Sequence, residues 1–186
     1  MLVDQFIDRT VHRPRTFFDD AAIHVDFAQP CCPVMRRWLQ DAADRLPDLQ
    51  VHPQGTYVCM EGPAFSTRAE SRMHQLLGGD VIGMTAMPEA RLAREAELPY
   101  ALVALPTDFD AWKDDNESVG ETIIANLQRA TMAALAIITE AIGDTSLLQQ
   151  AASPASTALD GAIWTAPDSM GSESAHWLRL LRPSDG

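Results

Sequence analysis

Three short apolar runs rich in strand formers, residues 56–60, 80–85 and 100–105, alternate with two segments of helical periodicity, 67–77 and 88–97. Strands joined by helices pair most simply as parallel neighbours, because the crossover helix carries the chain back to the starting end of the sheet. The run 100–105 is apolar at almost every position, the pattern of a strand buried on both faces. The prediction is an α/β layered core with parallel strands. Two further helices frame it. Residues 33–46 begin at Pro33 and place Met35, Leu39, Ala42 and Leu46 on one face; residues 117–142 place Val119, Ile123, Leu127, Met132, Leu135 and Ile138 on the predicted inner side. Ligands of such sheets bind beyond the carboxyl ends of the strands. Phe65, Thr85 and Asp108 all fall there.

Composition excludes several classes of function. The apolar share of 46% over 186 residues suits a folded domain with a sizeable core rather than a disordered chain. A net charge of −12 argues against a nucleic-acid partner, which needs clustered Lys and Arg. No apolar run of the sequence approaches the ~20 residues that cross a bilayer, and the first residues lack the basic region of a signal peptide. No membrane partner and a cytoplasmic location are therefore expected. Three cysteines, with Cys31 and Cys32 adjacent, cannot all pair within the chain, so reduced structural thiols are expected. The five histidines show no zinc-ligand spacing, and no metal is expected. Beyond Gly143 the periodicity weakens. Residues 1–145 are assigned to the α/β domain and 146–186 to a loosely structured tail, in which residues 176–181 could form a short docking helix.

The segment Glu61-Gly62-Pro63-Ala64-Phe65-Ser66, with Met84-Thr85 and Thr107-Asp108-Phe109-Asp110, carries the candidate chemistry. A purine base needs a flat apolar face and hydrogen-bonding groups in the ring plane. Cleaving the bond from N9 to ribose needs stabilisation of the departing base, most simply by protonation at N7. A carboxylic acid does this when water-poor surroundings favour its neutral form. Phe65 and Met84 would supply such surroundings, with Asp108 as the N7 partner and Asp110 accepting from the 6-amino group. Both carboxylates share a face if the segment is extended, and Phe109 points away. Glu61 and Arg68 are read as structural or interface ion-pair partners. Taken singly, each feature has an ordinary reading as turn, core or cap; their conjunction in order and spacing carries the argument.

Residues 55–112, and the separations among Phe65, Met84, Asp108 and Asp110, resemble the trimeric purine nucleoside phosphorylase family, most closely its methylthioadenosine branch. The resemblance implies an α/β three-layer fold with a central mixed sheet, here incomplete at the N-terminus. It implies that Phe65 packs on the base, Met84 lies against the ribose and Thr85 contacts phosphate. Ser66 and Asp108 stand where relatives that prefer 6-oxopurines carry Glu and Asn, which implies a 6-aminopurine. His24 corresponds to a histidine that reaches a neighbouring subunit's 5′-substituent pocket; Val119 and Ile124 correspond to its apolar wall, although Glu121 stands where a branched apolar residue belongs. The implied enzyme is a homotrimer using phosphate as co-substrate and no cofactor. The start, residues 4–10, matches a segment well inside such an enzyme, so the Gly-rich phosphate loop is expected to be absent. Two readings stay open: part of a phosphorylase, of the methylthioadenosine type or of another 5′-substituent specificity, or a non-catalytic purine-binding or assembly module. A poorly folding fragment with exposed strand edges is the third.

Overall fold

The computed structural model describes residues 1–113 and 119–182, with the side chains of residues 119–121 outside the described set. Among the described residues, five strands and six α-helices follow one another as β1 (Leu2–Val3), β2 (Gln5–Arg9), α1 (Pro33–Asp44), β3 (Thr56–Met60), α2 (Arg68–Leu76), β4 (Val81–Gly83), α3 (Glu89–Glu95), β5 (Leu102–Val103), α4 (Val119–Ile142), α5 (Ser146–Gln150) and α6 (Ser172–Leu181). Strands β2, β3 and β4 form a parallel sheet in that order, with Ile7 opposite Val58 and Val58 opposite Ile82. This is the α/β arrangement that the alternation predicts.

The third apolar run departs from the expectation. Only Leu102–Val103 is strand, and it pairs antiparallel with β1 rather than joining the parallel sheet. Its residues are half-buried. Continuous apolarity reported burial against neighbours, which here include β1, β3 and α1, and could not specify the pairing partner. Strands β1 and β2 carried no strand signal in the sequence. Phe6 nevertheless packs edge-on against Tyr57 at 6.1 Å, and Asp8 at the strand end accepts from the backbone N–H and hydroxyl of Thr10 at 2.9 and 2.7 Å.

The helix ends are legible locally. Thr67 caps α2 with a full capping box: its hydroxyl accepts from the N–H of Glu70, whose carboxylate accepts from the N–H of Thr67. Gly78, at φ +85°, follows the end of α2, a conformation that side chains disfavour. Helix α3 turns two charged residues inward. Arg94 donates to the carbonyls of Asp26 and Gln29, and Glu95 accepts from the N–H of Phe17. These bonds fix the long connection between β2 and α1.

Helix α4 corrects the sequence reading. Among its described residues Ala134, Ile137 and Ala141 are buried, and Ile137 and Ala141 pack with Leu2, Leu39, Ala42 and Ala43. Leu127, Met132, Leu135 and Ile138, predicted to face inward, are exposed. The helix is apolar on two faces, and the smaller one packs closely on α1. Residues Thr122–Ile142 are also long and apolar enough, by length and composition alone, to cross a bilayer, contrary to the expectation above. In the fold this helix is tied to its neighbours by polar contacts. Asn126 donates to the Thr107 carbonyl at 2.6 Å, and Glu140 pairs with Arg45 at 2.6 Å.

The segment after Gly143 is packed. Leu159 and Ala162 join Phe18 and Ile23 in a buried cluster, with Trp177, Leu178 and Leu181 of α6 against it. Asp20 accepts from the N–H of Ser174 in the first turn of α6, where an anion opposes the helix dipole favourably. All three cysteines are free and buried, and burial pushes the Cys31 thiol up to about 11.

Candidate active site

The carboxyl ends of β3 and β4 lie side by side, because the strands are parallel neighbours. The chain leaves β3 through Glu61–Ser66 and leaves β4 through Met84–Met87. Gly62 sits at φ +72°, and a side chain there would collide with the Met84 sulfur, 2.7 Å from the place of a Cβ. The two loops are therefore in contact, and the left-handed backbone at Gly62 favours glycine there. Gly83 has a similar function: a Cβ there would meet the Tyr57 hydroxyl, which lies 3.5 Å from the Thr85 nitrogen.

Phe65 and Ser66 take opposite environments. Phe65 is 85% exposed, whereas Ser66 is buried with its hydroxyl 3.8 Å from the Met60 sulfur. An aromatic ring held in water at the tip of a loop has its face available to a flat ligand. Met84 is half-buried and Thr85 exposed beside it. Helix α2, which starts directly after this loop, packs against the turn Asp110–Trp112. The acidic loop is thereby brought to the same end of the sheet, and the Asn126 bond to Thr107 steadies it from α4.

The acidic loop is not extended. The Asp108 carboxylate accepts from the Asp110 N–H at 2.8 Å and from the Thr107 hydroxyl at 3.1 Å, and Asp110 adopts φ +55°. An Asx turn of this kind replaces the predicted alternation, because a short carboxylate competes well for nearby backbone donors. Phe109 packs edge-on against Trp112 at 5.8 Å, with the Lys113 ammonium over its ring at 3.9 Å. Asp108 is exposed, so the water-poor surroundings predicted for it are not supplied by this chain alone.

His24 packs elsewhere, and Ile124 lies on α4 two residues before Asn126, which bonds the acidic loop. His24 stands edge-on to exposed Trp164 at 5.0 Å, and its N–H bonds to the Ala162 carbonyl at 2.9 Å. Ile124 is exposed on α4. Val119 begins α4, and its side chain, like that of Glu121, is outside the described residues. Among the described residues, surface hollows include one of about 310 Å³ between Leu46–Leu49 and Arg129–Ala136 and one of about 470 Å³ between α1 and residues 148–156. Neither contains Phe65, Met84 or Asp108.

Sequence reasoning passed over Arg13. Its guanidinium lies between the two strand ends and donates to the carbonyls of Met84 and Met87 on one side, and of Met60 and Glu61 on the other. The Glu61 carboxylate is 3.7 Å from its Nε and accepts from the Val11 N–H at 2.8 Å. That N–H bond, followed by the Arg13 charge, holds the Glu61 carboxyl below the usual range. Glu61 is thus a structural ion-pair partner, as its position suggested. The only available signal for Arg13 was a basic pair, Arg13 and Arg15 around Pro14, in an acidic chain.

Residues 1–143 match the phosphorylase superfamily. The chain is 50% identical over 182 residues to an S-methyl-5′-thioadenosine phosphorylase of Thermosynechococcus vestitus, covering 96% of this chain and 63% of that protein. Among solved structures, it superposes on a methylthioadenosine phosphorylase from an antarctic soil metagenomic library with a TM-score of 0.86 and 41% identity, over 98% of this chain and 64% of the other. A methylthioadenosine phosphorylase from Schistosoma mansoni in complex with adenine gives 0.74 at 29% identity, over 88% and 65%. The chain spans less than two thirds of the length of each.

Proposed function

The chain belongs to the phosphorylase superfamily, and from that premise we propose that it supplies the base- and ribose-recognising part of a phosphorylase acting on 5′-methylthioadenosine. The observation that carries the reading is the meeting of three loops at one end of the parallel sheet: Phe65 and Ser66, Met84 and Thr85, and the Asp108–Asp110 turn. The similarity to methylthioadenosine phosphorylases, one of them bound to adenine, supports it.

In the proposed reaction a phosphate oxygen attacks C1′ of the nucleoside as the C1′–N9 bond breaks through an oxocarbenium-like state. The base leaves as adenine once N7 is protonated, and methylthioribose 1-phosphate is the other product. Phosphate is the co-substrate, and the proposal includes no cofactor. Phe65 would stack on the base, Met84 would contact the ribose and Thr85 would donate to phosphate. Asp108 would serve N7 and Asp110 the 6-amino group. A carboxylate acceptor pairs with an amine and repels a keto oxygen, which favours adenine. The working form would be a cytoplasmic homotrimer, with His24, Val119 and Ile124 in the 5′-substituent pocket shared between subunits.

Exposure of Phe65 and Asp108 favours a second reading, in which the chain binds the base without turnover. Titration calorimetry with adenine, together with an assay of adenine release from methylthioadenosine, separates the two. Saturable adenine binding with phosphate-dependent release supports phosphorolysis, whereas binding without release selects the second reading. Absence of binding would sink both.

A further inference from the structure

We propose that Arg13 is a positioning residue of the nucleoside site, setting the spacing between the base loop, residues 61–66, and the ribose loop, residues 84–87. The inference rests on the functional reading above and deepens it.

A guanidinium has five N–H donors in one rigid plane. Here each nitrogen has a use. Nη1 donates to the Met84 carbonyl at 2.6 Å and to the Met87 carbonyl; Nη2 donates to Glu61 at 3.0 Å and to Met60 at 3.3 Å; Nε faces the Glu61 carboxylate at 3.7 Å. The carbonyls of Met60 and Glu61 lie at the end of β3, and those of Met84 and Met87 lie beyond the end of β4. The carbonyl dipoles of the two loops would repel one another without a cation between them. Charge-assisted bonds of this kind are roughly twice as strong as neutral ones. The Glu61 carboxylate completes the arrangement by holding both Arg13 and the Val11 N–H, which anchors the segment that delivers the guanidinium.

Spacing matters because of what the two loops would hold. Phe65 on the first loop takes the base, and Met84 on the second takes the ribose. The glycosidic bond joins base to ribose at a fixed length, so a nucleoside fits both loops only at one separation. Gly62 packs against the Met84 side chain, a flexible contact that by itself leaves the two loops free to shift. Arg13 removes that freedom through acceptors on both sides. Lysine would not replace it, having three donors on a flexible stem and no planar fork.

The test compares wild type with Arg13→Lys, Arg13→Met and the remote core variant Ile137→Ala, measuring affinity for adenine and for methylthioadenosine alongside thermal melting. Of these two loops adenine engages only the base loop, whereas the nucleoside spans both. In Arg13→Met the ratio of nucleoside to base affinity should fall about tenfold or more, as expected when two binding groups lose alignment. Arg13→Lys should lose part of that ratio, and Ile137→Ala should melt lower with the ratio unchanged. A wild-type ratio in folded Arg13→Met, or an equal fall in Ile137→Ala, overturns the proposal. If Arg13→Met does not fold, an unchanged ratio in Arg13→Lys overturns it. A wild-type chain that binds neither ligand removes the functional reading itself, and the role of Arg13 with it.

Discussion

Asp108 shows how one residue type is claimed by competing chemistry. Its carboxylate is already shared by the Asp110 N–H and the Thr107 hydroxyl, so in this chain it behaves first as the organiser of a turn. A base arriving on Phe65 would meet the same carboxylate and exclude water from it. Under the proposed function, Asp108→Asn should shift the ratio of adenine to hypoxanthine affinity toward hypoxanthine by about 1–3 kcal/mol, the cost of a mismatched buried polar pair. Calorimetry with both bases reads this directly, and an unchanged ratio would remove Asp108 from base recognition. Asp8 gives a stability prediction at the same scale. Burial alone would raise its pKa, but the Thr10 hydroxyl and N–H, then Arg91 at 3.3 Å, outweigh it and hold the carboxyl below the usual aspartate range. A lowered folded pKa means that the contribution is present above the unfolded value and lost as pH falls through the folded one. Denaturant midpoints should therefore decline below about pH 4, the unfolded aspartate range, and Asp8→Asn should flatten that decline.

At the scale of elements, α4 separates packing from composition. Ile137 is 3% exposed against Leu2 and Leu39, whereas Leu135, two residues away, is 54% exposed. Ile137→Ala should cost about 2–5 kcal/mol, as buried aliphatic truncations do. Leu135→Ala should change the stability of the dilute monomer by less than about 0.5 kcal/mol, the range of surface substitutions. Urea melts of the two variants make the comparison. Equal losses would mean that the bulky face is covered in solution. The capping box of α2 is the opposite case, an element written entirely in local sequence. Thr67→Ala should destabilise it by about 1 kcal/mol.

At the scale of the molecule, the exposed face of α4, with Ile124, Leu127, Met132, Leu135, Ile138 and Ile142, is a long apolar surface for a folded chain. It predicts concentration-dependent association, visible as a rising mass in sedimentation equilibrium over the micromolar range. Leu135→Glu should suppress it. An unchanged monomer across that range would show that the surface is tolerated in water. If association forms the proposed trimer, His24→Ala should weaken methylthioadenosine more than adenine, because only the nucleoside carries a 5′ substituent. Calorimetry on the associated form measures both.

The sequence alone determined the features that depend on near neighbours. Alternating strands and helices gave the parallel order of β3 and β4, the helical spacing of residues 67–77 gave α2, and Phe65 and Thr85 were placed in the loops that leave β3 and β4. Tertiary structure decided what depends on distant partners. Periodicity finds the apolar faces of α4 but cannot rank them, because the ranking depends on the small residues of α1 that accept Ile137 and Ala141. It could not pair Leu102–Val103 with Leu2–Val3 across a hundred residues, since register is set by contact and not by pattern. Nor could it show Arg13 between two strand ends 47 to 74 positions further on. The acceptors of that guanidinium are backbone carbonyls, which every residue has, and only the fold brings four of them to one place.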